Sequence, residues 1–237
     1  MKTKSVITLS ALPLIFASHI ATAQMVDVEI TNLTQGMYFT PLLVSAHDST
    51  THLFEAGEAA TPELQAMAEG GDISGLVSAT AAIGAVNSEN PASGLLAPSS
   101  STQVSDLDTL TNTHLSVTAM LLPTNDAFVG LNAWEIPLQA GTYTVYLNAY
   151  DAGTEANDEV VNGGGASGVL GIPVNPGGNG GNGGNGATGV TTTETNQTVH
   201  IHRGNVGDTD LSGGVSDVDS RIHRWLNPVA KVVVTVK

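Results

Sequence analysis

The stretch "HLSVTAMLLPTNDAFVGLNAWEIPLQAGTYTVYLNAYD", residues 114–151, decides the fold class. His114 to Leu122 is apolar and β-branched enough to read as a strand, and Pro123-Thr124-Asn125-Asp126 breaks it. Apolar patterning resumes from Phe128 to Ile136 around Trp134, then turns at Gln139-Ala140-Gly141. Thr142 to Tyr150 returns as a strand with Tyr143, Val145 and Leu147 on one face and Tyr146 and Asn148 on the other. An out-and-back path of this kind places Asp126 and Asp151 at the same end of the molecule.

Working outward, Met25 to Thr31 alternates apolar and acidic residues, the period of a half-buried strand. Tyr38 to Ala46 reads as a second strand, with Pro41 pointing to an edge or bulge. Thr61-Pro62-Glu63-Leu64 is a helix start, with a hydroxyl cap, proline in the first turn and an acid at the positive end. Leu64, Met67 and Ala68 share one face of that helix, and Gly70-Gly71 ends it. Ala79 to Val86 is small and apolar and is not typed by its pattern, and Pro91 to Thr102 reads as a loop. Thr198 to Arg203 and Val229 to Lys237 read as the last two strands. Short strands without a βαβ rhythm predict an all-β, antiparallel β-sandwich of about eight strands, with one short helix in a crossover. The tract "GGNGGNGGNG" cannot bury a core, so residues 163–189 are expected to form a flexible Gly/Asn-rich insertion within a single domain, 24–237.

Residues 1–23 read as a secretory signal: a basic start at Lys2 and Lys4, an apolar run from Ser5 to Ile20, and small residues before Gln24. The expectation is therefore a secreted or periplasmic protein with no membrane span after cleavage. Loss of Lys2 and Lys4 leaves five basic against 22 acidic residues, a formal charge of −17. Such a chain repels phosphate backbones, which argues against nucleic acid as a partner. It has no cysteine, which excludes disulfides, thiol nucleophiles and Cys-ligated metal.

Four acids, Asp151, Glu155, Asp158 and Glu159, crowd the end of the 142–150 strand. Loop polarity, a metal site or a catalytic pair could each account for them. Acids brought together from the 123–126 and 151–155 turns cannot all stay ionised without a partner. A hard divalent cation with oxygen ligands is the natural one, and Ca²⁺ is favoured outside the cytoplasm.

"SVTAMLLPTNDAFVGL" (116–131) together with "YDAGTE" (150–155) resembles the spondin N-terminal domain family, and the closing "HRWLNPVAKVVVTV" (223–236) is similar to its final strand. The resemblance implies an eight-stranded antiparallel sandwich with bound Ca²⁺, held by Asp126, Asp151 and Glu155. Glu155 stands where animal members have Asp, one methylene shorter. Gly153 would let the loop fold tightly, while Asp158 and Glu159 are read as solvated. The function implied is non-catalytic recognition or adhesion outside the cell, toward a surface carbohydrate or protein ligand. The alternative is a metal-dependent hydrolase that uses the same carboxylates.

A weaker second candidate is the run Asp208 to Asp219, which matches the twelve-residue loop of an EF-hand through Asp208, Asp210, Ser212 and Asp219. The residues before it read as a strand rather than an entering helix. His200 and His202 alternate on one strand and form a candidate metal pair without an evident third ligand. His47, His52, His114 and His223 are scattered and read as structural or surface groups, and no Gly-x-Ser-x-Gly elbow is present.

Overall fold

A computed structural model describes residues 23–178, 186–210 and 212–237. Residues 1–22, nearly all of the segment expected to be a secretory leader, and residues 179–185 of the insertion lie outside them. The strands are β1 (Met25–Asn32), β2 (Tyr38–Phe39), β3 (Leu43–His47), β4 (Val86–Glu89), β5 (Ser101–Asp108), β6 (His114–Leu122), β7 (Ala127–Glu135), β8 (Gly141–Asp151), β9 (His200–Ile201) and β10 (Ala230–Val236). They form one ten-stranded sheet in the order β4-β3-β6-β7-β8-β10-β1-β5, with β2 beside β6 and β9 beside β8. All the strand pairings are antiparallel, and the sheet curls into a nearly closed, barrel-like body.

Period-two alternation builds the interior. On β1, Val26, Val28 and Ile30 point inward, and on β10 Val232, Val234 and Val236 do the same against them. β10 lies between β1 and β8, so the last segment of the chain joins the first strand to the hairpin that carries the acids. β-Branched side chains suit this pleated, half-buried surface.

β6 is buried along nearly its whole length because both of its faces are covered. Val117, Ala119 and Leu121 fill the barrel, while Met120 and Leu122 belong to a second core outside it, with Leu64, Met67 and Ala68. Those three come from α1 (Pro62–Gly70), whose Thr61 cap accepts the Leu64 N–H at 3.2 Å and whose Gly71 closes the helix with φ 72°. Full burial of a side chain such as Leu64 or Met67 stabilises by about 1.5–3 kcal/mol each.

The structure departs from the sequence expectation in several places. A second short helix, α2 (Ser74–Ala82), follows the first; its Ser, Thr and Gly content gives no amphipathic signal, and packing of Leu76 into the outer core holds it. The expected 38–46 strand is split, with Thr40, Pro41 and Leu42 between β2 and β3. β5 was not anticipated, because its "STQVSDLD" buries only Val104 and Leu107.

The first part of the glycine-rich insertion is not a free excursion. Ile172 is buried and bridges to Val161 in parallel, and the Gly168 N–H is held by Glu69 at the end of α1. A Cβ on Gly70 would come within 2.0 Å of the Gly165 carbonyl oxygen, so glycine is what lets the segment lie against the helix.

Candidate functional site at the acidic loop end

β7 begins one residue after Asp126 and β8 ends at Asp151, and these strands pair with Ala127 opposite Asp151. The hairpin register therefore sets the two acids side by side at one end of the body. The Ala152 N–H donates to the Asp126 carbonyl at 3.2 Å, closing the junction.

The Asp126 carboxylate reaches across to the next turn. Its Oδ2 accepts the Thr154 N–H at 2.8 Å, the Thr154 hydroxyl at 3.2 Å and the Glu155 N–H at 3.1 Å. Its Oδ1 is buried without a donor. Asp151 Oδ1 accepts the Gly153 N–H at 2.9 Å and Oδ2 accepts Asn157 Nδ2 at 2.7 Å. Glu155 Oε2 accepts the Gly171 N–H at 2.9 Å and Asn125 Nδ2 at 3.2 Å, while Oε1 is buried and unpartnered. Gly153 sits at φ +71°, where a Cβ would approach the carbonyl oxygens of Thr198 and Asn196 within 2.8 Å.

Burial in a crowded acidic site raises all three acids. Asp126 is pushed well above the carboxylate range, first by loss of solvent and then by the charge of Asp151. Asp151 is raised by burial against the pull of its Asn157 and Gly153 hydrogen bonds. Burial carries Glu155 up to about 7 although the Gly171 N–H and Asn125 amide favour its charged form. The donor set suits a hard cation: acidic oxygens, two of them lacking any partner. Among the described residues, however, no three His, Asp or Glu side chains are drawn close enough to hold an ion by themselves.

Asn125 and Asn157, which sequence reasoning passed over, complete the site with His202, read there only as half of a candidate metal pair. Asn125 binds Glu155, and it also donates to Asp158 at 2.8 Å. Asn157 links Asp151 to His202: its Oδ1 meets His202 Nε2 at 2.9 Å. His202 Nδ1 accepts the Gly204 N–H at 2.9 Å, so the proton lies on Nε2 and is donated to Asn157. Burial depresses His202 to about 3, and its ring packs on Trp225 with centroids 5.0 Å apart.

Glu159 corrects the reading of a solvated acid. It is 1% exposed and accepts Val206 N–H at 2.6 Å, Gly207 N–H at 2.7 Å and Ser216 Oγ at 2.7 Å. Asp158 is only half-buried and also accepts the Val160 N–H at 3.0 Å.

The 208–219 loop lies next to this anchor without the flanking helices of an EF-hand. Asp208 turns back onto the loop, accepting the N–H groups of Asp210 at 2.9 Å, Val215 at 2.8 Å and Ser216 at 3.0 Å. Asp210 accepts the Ser212 N–H at 2.9 Å, and Asp219 holds Arg221 Nε at 2.8 Å. A Ser116–His47 contact at 2.7 Å is the arrangement of a nucleophile and base, yet both side chains are fully buried and offer a substrate no approach.

Fold and site together define an all-β module whose two acidic turns meet at one end of a curled sheet. The spondin N-terminal domain (Spondin_N) family model matches residues 31–160, more than half the chain, and the chain belongs to that family. The matched region runs from the end of β1 through the acidic turn after β8 and contains Asp126, Asp151 and Glu155. The family is one of extracellular and cell-surface proteins and is generally non-enzymatic. No curated protein matches the chain. No described helix is long and apolar enough to cross a membrane.

Proposed function

We propose that this chain is an exported, non-catalytic recognition or adhesion module whose acidic loop end carries Ca²⁺ on Asp126, Asp151 and Glu155. The observation that supports the reading is the pair of buried, donorless carboxylate oxygens, Asp126 Oδ1 and Glu155 Oε1, in a site that already suffers from like charge. A buried acceptor without a partner is costly, and so is an uncompensated buried charge. A bound divalent ion supplies the positive charge that lets these acids ionise together.

The chain's own residues translate that charge into order. Asp126 ties the start of β7 to the 154–155 turn, Asp151 grips Asn157, and Glu155 holds the glycine segment at Gly171. The ion's state would thus set the arrangement of three loops on one face, and that face is where a surface carbohydrate or protein ligand would dock.

Thermal unfolding of the chelated mature protein with and without CaCl2 tests the reading. Extracellular Ca²⁺ sites have Kd on the order of 10⁻⁴–10⁻³ M. At tenfold excess over Kd the ion stabilises by ~1.4 kcal/mol, a rise of about 3–5 °C for a domain of this size. Asp126→Asn and Asp151→Asn should each abolish the rise. A parent protein indifferent to CaCl2 would end the proposal.

A further inference from the structure

We propose that Asn196 is a site of N-linked glycosylation, where the exported chain carries one oligosaccharide beside the acidic loop end. The acceptor pattern Asn-x-Ser/Thr occurs twice in the sequence, as Asn32-Leu33-Thr34 and as Asn196-Gln197-Thr198. The folded structure tells the two apart.

Both asparagines make the same local turn. Asn32 Oδ1 accepts the Thr34 N–H at 3.0 Å and the Thr34 hydroxyl at 2.7 Å. Asn196 Oδ1 accepts the Thr198 N–H at 3.3 Å and the Thr198 hydroxyl at 2.8 Å. In each case the threonine fixes the carbonyl side of the carboxamide, and Nδ2 is left to find its own partners.

Those partners decide which nitrogen can react. Asn32 is 0% exposed, and its Nδ2 donates to the carbonyls of Met37 at 2.8 Å and Leu96 at 3.2 Å, so both of its protons are committed. A sugar there would have to break these bonds and open the packed end of β1. Asn196 is exposed, and among the described residues no group accepts a hydrogen bond from its Nδ2. Thr195 and Gln197 on either side are exposed as well.

The backbone here is anchored without belonging to the sheet. Residues 191–199 form no helix or strand, so a transferase can take the segment up without breaking a ladder of hydrogen bonds. The Asn196 N–H donates to Glu194 Oε1 at 2.6 Å, and the Val199 N–H donates to the Glu58 carbonyl at 2.8 Å. Glu194 is thus a positioning residue for the turn.

The donor is a lipid-linked oligosaccharyl pyrophosphate. Asn196 Nδ2 attacks the anomeric carbon, the nitrogen–carbon bond forms, and the bond from that carbon to the pyrophosphate oxygen breaks. The lipid pyrophosphate leaves with the bonding electron pair, and one amide proton passes to a base of the transferase. The attached sugar would stand on the wall of the cleft beside β9, a space of about 230 Å³ that Asp151 and His200 also line, and would cover that side of the acidic end.

The inference rests on export of the chain, so the test reads export separately. The full chain with its own leader is produced in a host periplasm with and without an oligosaccharyltransferase and its lipid-linked donor. Intact mass, peptide mapping and the N-terminal residue are then measured. A chain beginning at Gln24 is expected, with one oligosaccharide on Asn196 and none on Asn32, and only when the transferase is present. Asn196→Gln and Thr198→Ala should both lose the added mass, while Thr198→Ser, which keeps the acceptor pattern, should retain it. Because Asn196 is exposed, Asn196→Gln should keep the parent near-UV spectrum and Tm. An exported chain without added mass, a sugar on Asn32, or added mass that persists in Asn196→Gln would overturn the proposal alone. A chain retained inside the cell would overturn the export reading with it.

Discussion

Removing the Glu159 carboxylate should destabilise the whole acidic end, and the structure allows the size of the effect to be worked out. Glu159→Ala strips the acceptor from the Val206 N–H, the Gly207 N–H and the Ser216 hydroxyl, at 2.6, 2.7 and 2.7 Å. Hydrogen bonds to a charged group contribute about 1.5–3 kcal/mol each, and a buried donor left unsatisfied costs about 1–3 kcal/mol. Only the Ser216 bond is fully buried; the two backbone donors lie where water can replace part of the loss. The expected cost is therefore ~2–4 kcal/mol rather than the sum of three, or on the order of 10 °C in Tm for a domain of this size. Glu159→Gln keeps an acceptor oxygen of the same reach and should lose roughly half as much. Urea unfolding followed by far-UV circular dichroism, with Tm alongside, measures both variants. A Glu159→Ala protein within about 0.5 kcal/mol of the parent, the range of an ordinary surface change, would refute the claim that this acid anchors the 203–216 segment.

Two further outcomes follow from the same site. Gly153→Ala forces a side chain into a φ of +71° and against carbonyl oxygens within 2.8 Å, so it should cost at least ~2 kcal/mol by chemical denaturation, where the same change at a compatible glycine stabilises by about 0.4–1 kcal/mol. In chelator, stability should fall as pH rises from about 6.5 to 8: Glu155, lifted from 4.5 to about 7, stabilises most below its unfolded value and loses that contribution through its folded one. The buried histidines His47, His202 and His223 are shifted down and oppose this trend while their unfolded forms lose protons around pH 6.5, whereas Asp126, raised to about 8, adds to the fall. Glu155 should account for ~0.5–1 kcal/mol of the fall after solvent screening, and Glu155→Gln should remove that share; a Tm that is flat or rising over the window would count against raised carboxylates.

The parts of this protein legible in its primary structure are those governed by neighbours along the chain. Alternation marked β1 and β8, a β-branched run marked β10, and the cap and glycine stop marked α1, because side-chain period, side-chain shape and terminal hydrogen bonds are local properties. The juxtaposition of Asp126 and Asp151 was also within reach, since one hairpin of known register carries both. The fate of Glu159 was not, because its partners lie 47, 48 and 57 residues away and nothing near it in the chain distinguishes it from a solvated acid. The same holds for α2, whose weak intrinsic preference is overridden by packing of Leu76, and for the Gly-rich segment, which two distant carboxylates, Glu69 and Glu155, pull onto the body. Burial and long-range hydrogen bonding belong to the assembled molecule: an acid's charge state and a loop's order depend on which groups the folded sheet brings within about 3 Å, and no local pattern encodes that.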